Sequence, residues 1–117
     1  MSTPAAAAAV TVFRLCFNVP ESHLAAVKSA IFAAGAGRYP KSNYTECCWS
    51  TMGTGQFRPG DAANPHIGTV GELEYVPEVR VETPCVGEEV ARKAVAALRA
   101  AHPYEEPSYQ VYKVENF

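Results

Sequence analysis

Residues 47–68 read CCWSTMGTGQFRPGDAANPHIG, and the rest of the chain is organised around this stretch. It contains four glycines and two prolines, so it is neither a regular helix nor a central strand throughout. Disorder is a poor interpretation, because the stretch also carries tryptophan, phenylalanine, arginine, histidine and isoleucine. Loops of this length inside a compact domain are usually functional. We therefore expect an ordered working loop.

Hydrophobic patterns on either side of this loop predict four main strands and two helices. The strands show alternation of apolar with polar residues, and the helices show apolar residues at helical spacing. The order strand, helix, strand, strand, helix, strand predicts an α+β, ferredoxin-like βαββαβ sandwich with a four-stranded antiparallel sheet and both helices on one face. The expected strands are 10–18, 43–51, 71–83 and 109–114, with a short extra strand at 55–58, and the expected helices are 20–34 and 88–101.

Two features of the predicted sheet concern its edges and its second face. Pro77 interrupts the third strand, so a bulge or an edge is expected there. With both helices on one face, the other face is left open. Its mixture of apolar and ordered charged groups is unlike a simple solvent face, so we expect it to be buried in an oligomer. The residues placed on it are Arg14, Glu78, Arg80, Glu82 and parts of the tyrosine-rich last strand.

The composition is that of a soluble, single-domain protein. A chain of 117 residues can bury a modest core without disulfides or a metal. The net charge of -2 and the scattered basic residues argue against nucleic acid as a partner. The start, MSTPAAAAAV, lacks signal-peptide features and is too short to span a bilayer. We expect a disordered N-terminus at 1–9, one domain at 10–117, no membrane association, a cytoplasmic location and reduced cysteines.

The segment AHPYEEPSY, residues 101–109, is a candidate binding element. His102 follows a helix C-terminus, where the dipole favours a protonated imidazole, and Glu105 and Glu106 follow within a proline-bracketed turn. These three side chains could bind a divalent cation. Equally, His102 could cap the helix beside two solvated carboxylates.

The segment MGTGQFRPG, residues 52–60, is a second candidate. Backbone amides of its glycine-rich turns, together with Arg58, could cradle an anion. The segment matches neither the Walker pattern nor the dinucleotide-binding pattern. Nucleophilic catalysis would instead need Cys47 or Cys48 next to a base such as His66 or His102.

Several motifs resemble the PII/CutA-like domain inserted into the YqfO family, the proteins related to yeast NGG-interacting factor three. They are GTGQFRPG, NPHIGTVGELE and HPYEEP, and the opening NVPESHLAAVKSAIFAAGAGRYP is similar to that domain's first helix. The resemblance covers almost the whole chain. It implies a ferredoxin-like fold shared with PII signalling proteins and CutA, which commonly form trimers with ligand or metal sites between subunits.

The resemblance also implies where the family's paired-metal site lies and which activity to expect of this sequence. In two-domain members, the paired-metal site belongs to a larger domain whose flanking residues are absent from this sequence. We therefore expect a stand-alone accessory module without the family's hydrolase activity. The family pattern departs at Cys48 and Trp49, which puts the identity of the ligand in question more than the fold.

Taken together, these features predict a non-enzymatic regulatory module, a homo-oligomer and most simply a trimer, that binds a small molecule or a metal. A divalent metal ion is a candidate cofactor. Two alternatives stay open: an enzyme with an intersubunit His/Glu/Cys site, and a scaffold that docks a separate YqfO-type metal domain. The expected ligand-binding residues are Cys47, Gly53, Gly55, Phe57, Arg58, His66, His102, Tyr104 and Glu105, and the expected metal ligands are His102, Glu105 and Glu106.

Overall fold

The computed structural model describes residues 10–117, and the predicted disordered stretch 1–9 lies outside the described residues. The chain forms one four-stranded sheet and two helices. The strand order is β2-β3-β1-β4, and every neighbouring pair of strands is antiparallel. This arrangement confirms the predicted ferredoxin-like βαββαβ fold. The elements are β1 (Val12–Pro20), α1 (Glu21–Ala33), β2 (Trp49–Phe57), β3 (Glu74–Val86), α2 (Glu88–Ala101) and β4 (Tyr109–Val114).

The hydrophobic core lies between the helices and the central strands β1 and β3. Successive residues of a strand point to opposite faces, so every second residue of these strands faces the helices. Phe17 and Val81 are directly opposite each other in the β1–β3 ladder, and both are fully buried. Burial of each such side chain contributes about 1.5–3 kcal/mol. The core cluster also includes Leu15, Val19, Val27, Ile31, Val79, Ala94 and Leu98.

The predicted strand at 43–51 is wrong in position, because β2 begins only at Trp49 and continues to Phe57. Glu46 has a left-handed φ of 57°, which interrupts an extended backbone just before the strand. The Cys47 amide donates to the carbonyl of Gly37 at 2.8 Å, so the backbone N–H of this segment bonds the turn after α1 and does not extend the strand ladder. The nine residues of β2 all lie within the predicted loop at 47–68.

Glycines in β2 are tolerated because β2 is an edge strand of the sheet. The β2–β3 ladder is continuous from Trp49 opposite Glu82 to Phe57 opposite Glu74. The predicted short strand at 55–58 is thus the end of β2. The irregular loop proper occupies residues 58–73.

The remaining boundaries follow the predictions with small shifts. Pro20 ends β1 and immediately precedes α1, instead of lying in the first helical turn. β3 begins at Glu74 and ends at Val86, three residues later at each end than predicted. Pro77 pairs with Thr54 without a bulge. The β1–β3 ladder stops at Glu78, so Pro77 lies where β3 has a neighbour on one side only, which agrees with the predicted edge.

Both helices have the ends that the sequence indicates. Gly35, with a φ of 109°, follows the last turn of α1. Helix α2 has the predicted bounds, and its surface carries the Glu88–Arg92 and Glu89–Lys93 ion pairs at 2.6 and 3.0 Å. Within residues 10–117, neither helix combines the length and apolar character needed to cross a membrane.

The second face of the sheet carries a charged network. Arg14 Nε donates to Glu82 Oε1 at 3.0 Å, and Arg80 Nε lies 3.8 Å from the other oxygen of the same carboxylate. The hydrogen bond from Arg14 lowers the pKa of Glu82, and the same bond raises the pKa of Arg14. Cys16 lies buried beside this network, and burial raises its pKa. All four cysteines, which lie in the described part of the chain, are free thiols.

Large exposed rings surround that network on the same face. Trp49 is directly opposite Glu82 in β2, and Tyr112 is directly opposite Arg14 in β4. Trp49 is 66% exposed and Tyr112 is 51% exposed. The open face therefore combines an ion-pair network with unburied aromatic surface. Its burial in an oligomer stays a prediction.

Replacing Leu98 with alanine should test the position of the core. Leu98 is fully buried between α2 and the sheet, so Leu98→Ala should lower the free energy of unfolding by about 2–5 kcal/mol. Leu73→Ala is the matched control, because Leu73 is 39% exposed and should cost about 0.5 kcal/mol or less. Urea unfolding measures both. Equal losses in the two variants would contradict the assigned core.

Candidate functional site

A cleft of about 500 Å³ lies beside the end of the β2–β3 hairpin at which loop 58–73 connects the two strands. Three segments form its walls: the end of β2, the first half of loop 58–73, and the turn that follows α2. Single residues from β1 and β3 complete it. The lining residues are Asn18, Thr54, Gly55, Gln56, Phe57, Arg58, Pro59, Gly60, Ala63, Pro65, His66, Ile67, Glu78, Tyr104, Glu105, Glu106 and Ser108.

His102 connects the end of α2 to β1 and lies behind the cleft. The backbone N–H of Tyr104 donates to His102 Nδ1 at 3.1 Å, so Nδ1 is an unprotonated acceptor. The proton of the neutral ring is then on Nε2, which donates to the Asn18 carbonyl at 2.7 Å. The side chain is buried, and burial lowers its pKa against the opposing effect of the Asn18 hydrogen bond. Both ring nitrogens are thus engaged in structure.

Tyr104 is the central aromatic residue of the cleft. Its ring centroid lies 4.9 Å from that of His102, 6.2 Å from Phe57 and 6.4 Å from His66. The hydroxyl is buried beside the Glu78 carboxylate, and no group in the described part of the chain meets full hydrogen-bond geometry with it. Burial raises the pKa of Tyr104, and the nearby carboxylate of Glu78 raises it further. A buried hydroxyl without a partner is costly, and such groups are often completed by a bound water or ligand.

Loop 58–73 is held closed at its base and docked onto the turn after α2. Arg58 Nη1 donates to the Gly71 carbonyl at 2.7 Å, and the Gly71 amide donates to the carbonyl of Pro59 at 2.8 Å. The backbone N–H of Asn64 donates to Glu105 Oε2 at 3.0 Å. This last bond joins two segments that are 41 residues apart in sequence. The two candidate elements of the sequence analysis are therefore in direct contact.

Gly55 makes room for the side chain of Glu78. A Cβ at position 55 would lie only 1.9 Å from Glu78 Oε1, so a larger residue would displace the carboxylate. The sequence pattern places Glu78 among several charges of a sheet face, and it gives no signal for Asn18. Both reach the cleft through strand register, and no local spacing in the sequence marks them. The glycine on the paired strand was the only indirect signal.

The cleft brings together most of the expected ligand-binding residues. Gly53 lies one step along β2 and borders a smaller adjoining hollow, and His102 lies behind the wall. Cys47 is a correction: it lies before the start of β2, at the opposite end from the cleft, where its carbonyl accepts a 2.8 Å hydrogen bond from Thr83 Oγ1. The residues that line the cleft as expected are Gly55, Phe57, Arg58, His66, Tyr104 and Glu105.

The expected metal set of His102, Glu105 and Glu106 is not assembled. Both nitrogens of His102 are engaged in hydrogen bonds within the chain. Across residues 10–117, no group of three or more His, Cys, Asp or Glu side chains is arranged to hold a metal ion. The geometry therefore fits the helix-cap alternative for His102. Two of the thiols, Cys16 and Cys85, are buried, and burial raises the pKa of Cys85 to about 11.

The role of His102 predicts a pH dependence of stability. Its folded-state pKa lies below the unfolded value of about 6.5, so the unfolded chain binds more protons as the pH falls through that value. The stabilisation is complete above about pH 6.5 and declines below it. Between about pH 8 and pH 5, urea unfolding should show a larger loss for the wild type than for His102→Gln.

His66→Gln is the matched control, because His66 is exposed in the cleft wall and should leave this component of the pH dependence unchanged. Identical pH dependence in the wild type and in His102→Gln would contradict the structural role of His102.

Comparison with known proteins shows longer relatives. No protein-family model matches the chain. A protein of Mycobacterium leprae named "GTP cyclohydrolase 1 type 2 homolog" is 50% identical over 95 residues, which is 80% of this chain and 24% of that protein. The Bacillus subtilis protein of the same name is 42% identical over 102 residues, covering 87% of this chain and 26% of that protein. The chain thus spans about a quarter of the length of these relatives.

Solved structures agree with both the relationship and the fold. A Bacillus cereus protein related to NIF3 superposes with a TM-score of 0.76 at 37% identity, over 92% of this chain and 26% of that chain. CutA from Archaeoglobus fulgidus, described as a periplasmic divalent cation tolerance protein, gives 0.63 at 12% identity over 91% and 86%. Bacillus subtilis GlnK, in a complex with ATP, gives 0.58 at 8% identity over 89% and 84%. The chain is therefore similar in sequence to one segment of the proteins named GTP cyclohydrolase 1 type 2 homolog and of a protein related to NIF3, and it has the CutA- and PII-like fold.

Proposed function

We propose that this chain is a small-ligand-binding regulatory module and that its site is the cleft between loop 58–73 and the turn after α2. The observation that carries this proposal is the docking of these two segments through the Asn64–Glu105 hydrogen bond. Together they enclose about 500 Å³. Small-molecule sites are commonly concave, of this size, and lined by aromatic groups with a few placed polar groups.

The unpartnered hydroxyl of Tyr104 supports binding at this position. It is buried at the cleft wall next to Glu78, so a ligand with a hydrogen-bonding group would satisfy it. The comparisons add a precedent for ligands on this fold, since the GlnK structure is an ATP complex and CutA is named for divalent cation tolerance. Both likenesses concern the fold alone.

A binding role accords better with the geometry than catalysis by this chain alone. The enzymatic alternative needs a cysteine and a histidine in contact, but Cys47 lies away from the cleft and His102 is engaged on both ring nitrogens. Any cyclohydrolase activity suggested by the relatives' name would draw on the three quarters of those proteins that this chain does not match.

A second candidate function is a domain that docks onto a larger metal-containing domain. The observation that favours it is the coverage, since the relatives are about four times as long as the matched segment. In this alternative the open sheet face would bind the partner. The cleft would then transmit or tune that contact instead of acting on its own.

Tyr104→Phe should weaken ligand binding without weakening the fold. The variant removes a buried hydroxyl that has no partner in the described part of the chain, so the free energy of unfolding should stay equal or rise. A ligand that satisfies this hydroxyl should bind about tenfold more weakly. Calorimetric titration with ATP, spermidine, inorganic phosphate and Zn²⁺ measures affinity, and urea unfolding measures stability.

Tyr75→Phe is the control for this experiment, because Tyr75 is 58% exposed and lies outside the cleft. Saturable binding of at least one probe to the wild type is expected. Absence of binding by all four probes, or equal affinity in Tyr104→Phe and the wild type, would contradict the proposed site.

We also propose that the open sheet face is buried in a homo-oligomer, most simply a trimer. Trp49→Glu adds a charge to that face beside Glu82 and should convert the oligomer to monomers in native mass spectrometry. Tyr75→Glu is the matched control, because Tyr75 is similarly exposed but lies on the opposite face of the sheet. A monomeric wild type would contradict the oligomer, and dissociation of both variants would contradict the choice of face.

A further inference from the structure

We propose that the cleft selects a small organic cation, an ammonium or amidinium compound with an apolar body. This inference rests on the proposed ligand-binding function and narrows its ligand class. It concerns the charge of the occupant, which neither the fold nor the relatives indicate. The argument comes from the charges, the rings and the hydroxyl that line one wall of the cleft.

The formal charges of the lining favour a cation. Three carboxylates reach the cleft, those of Glu78, Glu105 and Glu106, against the single guanidinium of Arg58. Arg58 already donates through Nη1 to the Gly71 carbonyl at the base of the loop. In the described part of the chain, none of the three glutamates takes part in a salt bridge. An anion placed here would face uncompensated negative charge, whereas a cation would neutralise it.

The aromatic lining supports the same class of ligand. The rings of Phe57 and His66 lie 6.2 and 6.4 Å from the ring of Tyr104, so three neighbouring rings contribute to the lining of the cleft. Aromatic faces attract cations through the ring quadrupole, and they also cover apolar chains. A compact inorganic ion would use neither property.

Glu78 and Tyr104 form the polar end of this region. The Glu78 carboxylate lies over Gly55, where the missing side chain leaves it space, and its charge acts on the Tyr104 hydroxyl. That hydroxyl can accept an N–H donor, as can the carboxylate. A ligand N–H group beside them would pair with the charge of Glu78. A bare metal ion is less suited, since residues 10–117 hold no cluster of three metal-binding side chains.

Titration calorimetry with spermidine tests this inference on the intact protein. Spermidine should bind, and fully acetylated spermidine, which keeps the carbon chain but lacks the ammonium charges, should not. Glu78→Gln should weaken spermidine binding by about tenfold or more, because it removes the charge that faces the ligand. Glu72→Gln is the matched control, as Glu72 is an exposed carboxylate of the same loop that does not line the cleft.

The outcomes separate this inference from the function on which it rests. ATP or phosphate binding that is lost in Tyr104→Phe, with no spermidine binding, would overturn the cation and leave the ligand-binding module intact. Equal loss of spermidine affinity in Glu78→Gln and Glu72→Gln would reveal general surface attraction and would also overturn the inference. Binding of none of these probes would overturn the inference together with the proposed function.

Discussion

The imidazole of His102 fixes the end of α2 to the end of β1, and the candidate site depends on this connection. Its Nε2–H bonds the Asn18 carbonyl, and its Nδ1 accepts the amide of Tyr104. The two bonds set the direction in which the chain leaves the helix. They therefore place Tyr104 in the cleft wall and bring Glu105 to the amide of Asn64. One buried neutral ring thus organises a turn that contributes to the cleft without entering it.

The carboxylates of the open sheet face and of the cleft differ in whether they are paired with a cationic side chain. On the open sheet face, Glu82 is placed between Arg14 and Arg80, so that its carboxylate is paired within the chain. At the cleft, the carboxylate of Glu78 takes part in no salt bridge in the described part of the chain. Paired charges suit a surface that becomes covered by protein, because desolvation of a pair costs less than desolvation of a lone charge. Unpaired charges suit a surface that binds a ligand of opposite charge.

The sequence allowed the fold to be predicted wherever structure follows from local periodicity. Helix α2 has the predicted bounds because its apolar stripe and its i,i+4 ion pairs are local features. The second strand was misplaced because residues 43–48 have a strand-like composition, whereas the left-handed Glu46 and the Cys47–Gly37 hydrogen bond reflect the path of the chain between distant elements. The β-propensities of individual residues do not predict that path.

The candidate site was predictable to a similar degree, for the same reason. Unusual local composition identified the loop and the HPYEEP turn, and the structure places them in contact. The contribution of Glu78 depends on strand register, because Glu78 is opposite Gly53 and its side chain lies over Gly55 on the neighbouring strand. The structural role of His102 depends on a carbonyl 84 residues away, so the sequence left its metal-binding and helix-cap interpretations equally open.

The long separation between the partners of these bonds has a kinetic consequence. Contacts between residues distant in sequence carry a high entropic cost of loop closure and tend to form after local structure. The cleft should therefore be among the last parts of the molecule to become ordered, so that any occupant recognises only completely folded chains and shifts the folding equilibrium towards them by mass action.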